Sequence, residues 1–221
     1  MFLEVPDILT PDELAEIRRA CASGSWDDGR ATAGRMAAVV KRNEELRPVP
    51  GGALVEQRVG QALLRSERFR SLTFARRLST PMINRYRAGM EYGTHVDNAL
   101  IGDPPLRGDL SVTVFLSDPD SYDGGHLVVE TPAGEVELKL AAGSVAVYPG
   151  SMLHRVEPVT RGERLAAICW VQSVVRDPAV REILIDLGAT LALLAQSAPE
   201  SEAAKRVARA HHNLLRMHAE T

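Results

Sequence analysis

His95 and Asp97 stand two residues apart in Tyr92-Gly-Thr-His-Val-Asp-Asn-Ala-Leu100, a segment otherwise suited to a β-strand. Side chains of a strand alternate faces, so the imidazole and the carboxylate would point one way and Val96 the other. Converging on one side, they could form a hydrogen-bonded pair, an acid/base dyad or half of a metal site. A second histidine, His154, follows a β-type run that ends in Pro149-Gly150. It lies 154 − 95 = 59 residues beyond His95, enough for several short strands to bring the chain back across a barrel. Two histidines and one carboxylate make the facial triad that holds non-haem Fe(II) and leaves coordination positions open.

Arg164 opens the next apolar run, "RLAAICWV", and alternation places Arg164, Ala166, Ile168 and Trp170 on one face. An arginine on an otherwise apolar inward face is costly unless it meets an anion, and guanidinium is shaped for a carboxylate. A dicarboxylate that chelates the metal at one end and pairs with Arg164 at the other fits both features. Simpler readings stand beside these: a satisfied buried His95–Asp97 pair, or Arg164 pairing at the surface with Glu157 or Glu163. Trp170 reads as barrel packing. Asn98 reads equally as a substrate contact or a turn residue. His211, His212 and His218 read as a solvated helical face.

These residues need elements to position them. Thr10-Pro11-Asp12-Glu13 is a capping box with proline at the first helical position, predicting a helix over Pro11–Ala22. A second helix is predicted over Ala53–Arg65, with Leu54, Val59, Leu63 and Leu64 on its apolar side, so the first third reads as mostly helical. From about Pro81 the texture changes to short strands: Met82–Tyr86, Gly93–Asp97, Leu110–Leu116, His126–Glu130, Val136–Leu140, Val145–Tyr148 and Leu165–Gln172. That spacing predicts a mainly β barrel or jelly roll with flanking helices. Helices return after Asp177-Pro178 and over Glu202–Met217. The stripe Val180, Leu184, Leu187, Leu191 and Leu194 could pack on the barrel or serve a homo-oligomer interface. The expected organisation is a helical and strand support region over 1–80, a β core over 81–175 and a helical extension over 176–221.

The composition of 221 residues, 45% hydrophobic and 25% charged with a net charge of −3, gives no reason to expect nucleic acid or a membrane as partner. The two cysteines form no CxxC, the N-terminus lacks a signal-peptide pattern, and no apolar run could span a bilayer. A reducing, cytoplasmic location is expected.

"NRYRAGMEYGTHVDNA", "DLSVTVFLSDPDSYDGGHLVVE", "YPGSMLHRVEPVTRGER" and the tail "HHNLLR" together resemble the bacterial PKHD-type hydroxylases. These are iron- and 2-oxoglutarate-dependent dioxygenases related to prolyl hydroxylases. The resemblance implies a double-stranded β-helix, Fe(II) at His95, Asp97 and His154, and 2-oxoglutarate at Arg164 with Tyr86 as a further contact. It also implies O2 as co-reactant, L-ascorbate as a reductant, and a peptide or a siderophore-like small molecule linked to iron uptake as substrate. Where the family more often carries an acidic residue, the hairpin here reads Gly124-Gly125-His126, and His126 is left outside the metal site. A cupin-like metalloenzyme without 2-oxoglutarate, and a non-catalytic sensor of iron or 2-oxoglutarate, are the rival readings. Specificity is expected in the loops Arg47–Gly52 and Asn98–Asp109.

Overall fold

A computed structural model describes residues 2–47 and 53–220, with nothing said of the Ala53 and Leu54 side chains. The expected loop residues 48–52 and the Leu54 side chain therefore lie outside the described residues. Two main antiparallel sheets build the chain. The eight-stranded sheet runs Leu3–Val5, Val145–Pro149, Leu110–Phe115, Glu163–Ser173, Met82–Arg87, Glu44–Leu46, Trp26–Asp28, with Ala75–Leu78 paired beside Glu163–Ser173. The five-stranded sheet runs Gly134–Leu138, Leu127–Thr131, His154–Val156, Glu91–His95, Lys41–Arg42. A small hairpin pairs Leu100–Ile101 with Leu106–Arg107.

All seven strands expected from periodicity form, each end within two residues of its expected place. The helix predicted from the capping box spans Pro11–Ser23: Glu13 N–H donates to Thr10 Oγ1 and Thr10 N–H to the Glu13 carboxylate. The helices Ala53–Arg65, Pro178–Ser197 and Glu202–His218 also match expectation. The first third is less helical than its sequence reads. Leu3–Val5, Trp26–Asp28, Lys41–Arg42, Glu44–Leu46 and Ala75–Leu78 are all strands of at most four residues. Such pieces are too short to show an alternating pattern, and pairing with a neighbour already in place is what makes them strands. They bring segments before residue 81 into both sheets.

Alternation divides the work of the large sheet. On Leu110–Phe115 every residue is buried, with Val112 and Val114 packed in the core beneath the helices Pro11–Ser23 and Ala53–Arg65. Ile17, Val59, Leu63 and Phe69 cover that face, each side chain contributing about 1.5–3 kcal/mol by leaving water. The alternate residue Thr113 lines a cavity on the opposite face. Cys169 sits in the helix-covered core and Cys21 beside it, both as free thiols. Burial pushes the Cys169 thiol up strongly and Cys21 to about 11, so both are inert. At the C-terminus Val180 and Leu184 are buried with Val175, and Leu214 and Leu215 pack against them, so the start of the leucine stripe is used within the chain. Among the described residues no helix is long and apolar enough to cross a membrane.

Candidate metal centre and anion pocket

The cavity, about 690 Å3 in volume, takes lining residues from both sheets. His95 ends the strand Glu91–His95, and His154 opens the strand His154–Val156 beside it; the two are register partners. Asp97 lies two residues past the end of its strand. Its carboxylate and the His95 ring still meet on one side, as expected, with Val96 between them 49% exposed. Asp97 Oδ1 stands 4.0 Å from His95 Nε2 and 3.7 Å from His154 Nε2, and a donor atom from each residue falls within 4.8 Å of the others. Among the described residues this is the one group of three or more such donors that could hold a metal ion.

Each donor is held by a neighbour. His95 Nδ1–H donates to Gly93 O at 2.8 Å and His154 Nδ1–H to Met152 O at 3.0 Å. Both bonds fix the tautomer that leaves the Nε2 lone pair facing Asp97, as metal ligation needs. Burial, reinforced by the neighbouring His154, depresses the pKa of His95 and keeps its ring neutral. Tyr92 stacks on His95 with ring centroids 3.6 Å apart, and Tyr148 meets His154 edge-on at 5.0 Å. Ser111 Oγ, wholly buried, donates to Asp97 Oδ2 and leaves Oδ1 turned toward the histidines. Two imidazoles with Nδ1–H tied to backbone carbonyls and one oriented carboxylate are a donor set suited to Fe(II).

Arg164, only 1% exposed, lines the same cavity from the large sheet. Among the described residues none of its three guanidinium nitrogens makes a hydrogen bond of good geometry, the neighbouring Tyr122 hydroxyl being a neutral group and not a counter-ion. The surface alternative is excluded: Glu163 pairs with Arg85 and Arg87, and Glu157 with Arg155 and His126. The guanidinium lies 5.2 Å from the Tyr86 ring and 5.5 Å from the Phe115 ring, contacts that leave its five N–H donors free. Tyr86, its register partner, is buried and also lines the cavity; burial raises its phenol to about 12, so it stays protonated. Gly125 has φ +63°, and a Cβ there would press to 3.1 Å from both Arg164 Cδ and Tyr122 Cε2. The Gly124-Gly125 hairpin thus makes room for the arginine.

The remaining expectations divide. Asn98 and Trp170 line the cavity, and among the described residues the buried Trp170 indole N–H has no partner. His126 lies outside the cluster, half-buried 3.5 Å from Glu157. His212 and His218 are exposed on the last helix, and His211 is half-buried. Sequence reasoning missed Ser111, Tyr122, Lys41, Glu45 and Asn84. Ser111, Tyr122 and Asn84 stand in segments that read only as strand or hairpin, Lys41 and Glu45 in pieces too short to show any pattern, and none carries a spacing signal.

Comparison with known proteins follows the same outline. Residues 81–172 match the family model described as the 2OG-Fe(II) oxygenase superfamily. A "PKHD-type hydroxylase" of Xanthomonas euvesicatoria is 43% identical over 230 residues, covering all of both chains. A prolyl hydroxylase of Trichoplax adhaerens, solved with a hypoxia inducible factor peptide fragment, superposes with a TM-score of 0.57 at 15% identity, over 77% of this chain and 82% of that one. HygX of Streptomyces hygroscopicus, solved with nickel, 2-oxoglutarate and hygromycin B, gives a TM-score of 0.56 at 16% identity, over 79% and 84%.

Proposed function

This chain belongs to the PKHD-type hydroxylases of the 2OG-Fe(II) oxygenase superfamily, the 2-oxoglutarate-dependent dioxygenases, and from that premise we propose that His95, Asp97 and His154 hold its iron while Arg164 and Tyr86 hold its cosubstrate. The observation that carries this reading is the buried, unpartnered Arg164 guanidinium in the same cavity as the triad. A buried cation without a counter-ion is costly, and a carboxylate arriving from solution relieves that cost. A cupin-like enzyme without 2-oxoglutarate would leave it unrelieved.

When bound, iron and 2-oxoglutarate supply the oxidising power for placing one oxygen atom of O2 into a substrate C–H bond, the other entering succinate as CO2 is released. The chain's own residues prepare that event. His95 and His154 present Nε2 while their Nδ1–H groups stay bonded to backbone carbonyls. Ser111 holds one Asp97 oxygen so that the other faces inward. Arg164 pairs with the far carboxylate of the cosubstrate, and the protonated Tyr86 hydroxyl donates beside it. Tyr148, Phe115, Leu127 and Val156 close the deep end against water. The substrate is a peptidyl residue or a small molecule, and neighbours of this fold, solved with a peptide in one case and hygromycin B in the other, span both classes.

The test is anaerobic absorption spectroscopy with Fe(II) and 2-oxoglutarate. A weak visible charge-transfer band present in the wild type and lost in His95→Ala is expected. Bound metal without any such band would overturn the cosubstrate assignment, and absence of metal binding would overturn the triad.

A further inference from the structure

One wall of the cavity carries buried polar groups that neither the metal nor the anion pocket uses. Strand Glu44–Leu46 pairs with strand Met82–Arg87, and Glu45 stands opposite Asn84. Both are buried, at 9% and 4% exposure, and both line the cavity. Glu45 Oε1 accepts from Lys41 Nζ at 2.5 Å and from Thr32 Oγ1 at 2.6 Å, while among the described residues Oε2 accepts no hydrogen bond. Asn84 Oδ1 accepts from Asn43 Nδ2 at 3.0 Å, which leaves the Asn84 Nδ2–H donors without a partner. The wall thus presents a carboxylate acceptor and an amide donor side by side, on Cβ atoms about 5 Å apart as cross-strand neighbours are. It adjoins the metal ligands: Lys41 Nζ lies 5.3 Å from the centroid of the Tyr92 ring that stacks on His95. A buried Lys–Glu pair adds little stability over apolar packing, so its place in a cavity wall calls for a ligand.

In an extended chain, the N–H and C=O of one residue point to the same side, as they do in a hydrogen-bonded pair of an antiparallel ladder. A side-by-side acceptor and donor match that pattern. The mouth of the cavity extends it. Ala37 on one segment and Val96 and Leu100 on another line it, Val96 and Leu100 being 49% and 66% exposed. Apolar rims outside a polar slot suit the flanking side chains of a peptide, a footprint larger than the cavity itself.

We propose that Glu45 and Asn84 form a backbone-recognition subsite, Glu45 Oε2 accepting an N–H and the Asn84 Nδ2, free among the described residues, donating to the C=O of one residue in an extended peptide, so that the primary substrate is a peptidyl residue. This rests on the dioxygenase reading above. The probes are acetylated, amidated pentapeptides, alanine except for a varied central residue, with desferrioxamine B as the small-molecule comparator. Succinate release above the substrate-free rate, oxygen incorporation by mass spectrometry, and 2-oxoglutarate affinity with Mn(II) are measured together. At least one peptide should be hydroxylated. Asn84→Ala and Glu45→Ala should raise its KM by about tenfold or more, as loss of a hydrogen bond to a polar or charged partner does, with 2-oxoglutarate affinity unchanged. Glu45→Gln should restore much of the loss. If Glu45→Ala does not fold, Asn84→Ala and the paired Lys41→Met/Glu45→Leu variant carry the test. A hydroxylated peptide whose KM ignores these variants overturns the subsite. Hydroxylation of desferrioxamine B alone, or of no probe by protein that binds 2-oxoglutarate, overturns the peptide class and leaves the dioxygenase reading standing. Failure of the wild type to bind 2-oxoglutarate overturns both.

Discussion

At the scale of single residues, the site is a set of groups left deliberately incomplete. Arg164 is buried with no counter-ion, so replacing it should relieve a cost in the empty protein. Arg164→Met is expected to raise the melting temperature without ligands and to weaken 2-oxoglutarate binding at least tenfold, with Mn(II) binding unchanged; calorimetric titration and thermal denaturation check both. Ser111 would act on a bound metal at one remove, by occupying one oxygen of Asp97. Loss of such a partner costs about 10–100-fold in metal affinity, so Ser111→Ala should show that loss in Mn(II) titration and Ser111→Thr should retain most of the affinity.

At the scale of elements, two short motifs set geometry far beyond their length. The Gly124-Gly125 turn opens space for Arg164, and Gly125→Ala should weaken 2-oxoglutarate binding while Mn(II) still binds, because the added methyl meets the arginine stem and Tyr122. The capping box at Thr10 starts the helix that covers the large sheet, and Thr10→Ala should cost about 1 kcal/mol in denaturant unfolding. Within that box, hydrogen bonds from Arg65 hold the Glu13 carboxyl down to about 2 from 4.5. A folded pKa below the unfolded one means stability that is present above about 4.5 and lost as the pH falls toward 2. Glu13→Gln should therefore be less stable than the wild type at neutral pH, and the gap should close near pH 2.

At the scale of the whole molecule, the candidate metal ligands come from the smaller sheet and the arginine from the larger, so iron and cosubstrate together would tie the sheets. Ligand present at a hundred times its dissociation constant adds about 2.7 kcal/mol, or roughly 5–10 °C for a chain of this size. That rise is expected when 2-oxoglutarate is added with Mn(II), and it should vanish in Arg164→Met; thermal denaturation of both proteins decides it.

The candidates His95, Asp97, His154 and Arg164 stand out in the chain because their side chains announce chemistry by type and spacing, whereas Tyr86 comes only from the family resemblance. The seven core strands are legible because a half-buried strand must alternate. Three things belong to the tertiary structure alone. Ser111, on the other sheet, holds the Asp97 carboxylate through a contact that no period of the chain announces. Strands as short as Lys41–Arg42 and Glu44–Leu46 exist only because a partner strand is already beside them. Glu45 and Asn84 face each other across 39 residues of chain, 84 − 45 = 39, and nothing in the sequence pairs them. Periodicity reports what one segment buries, whereas which polar groups stay unpaired at the bottom of a cavity depends on every segment that arrives there.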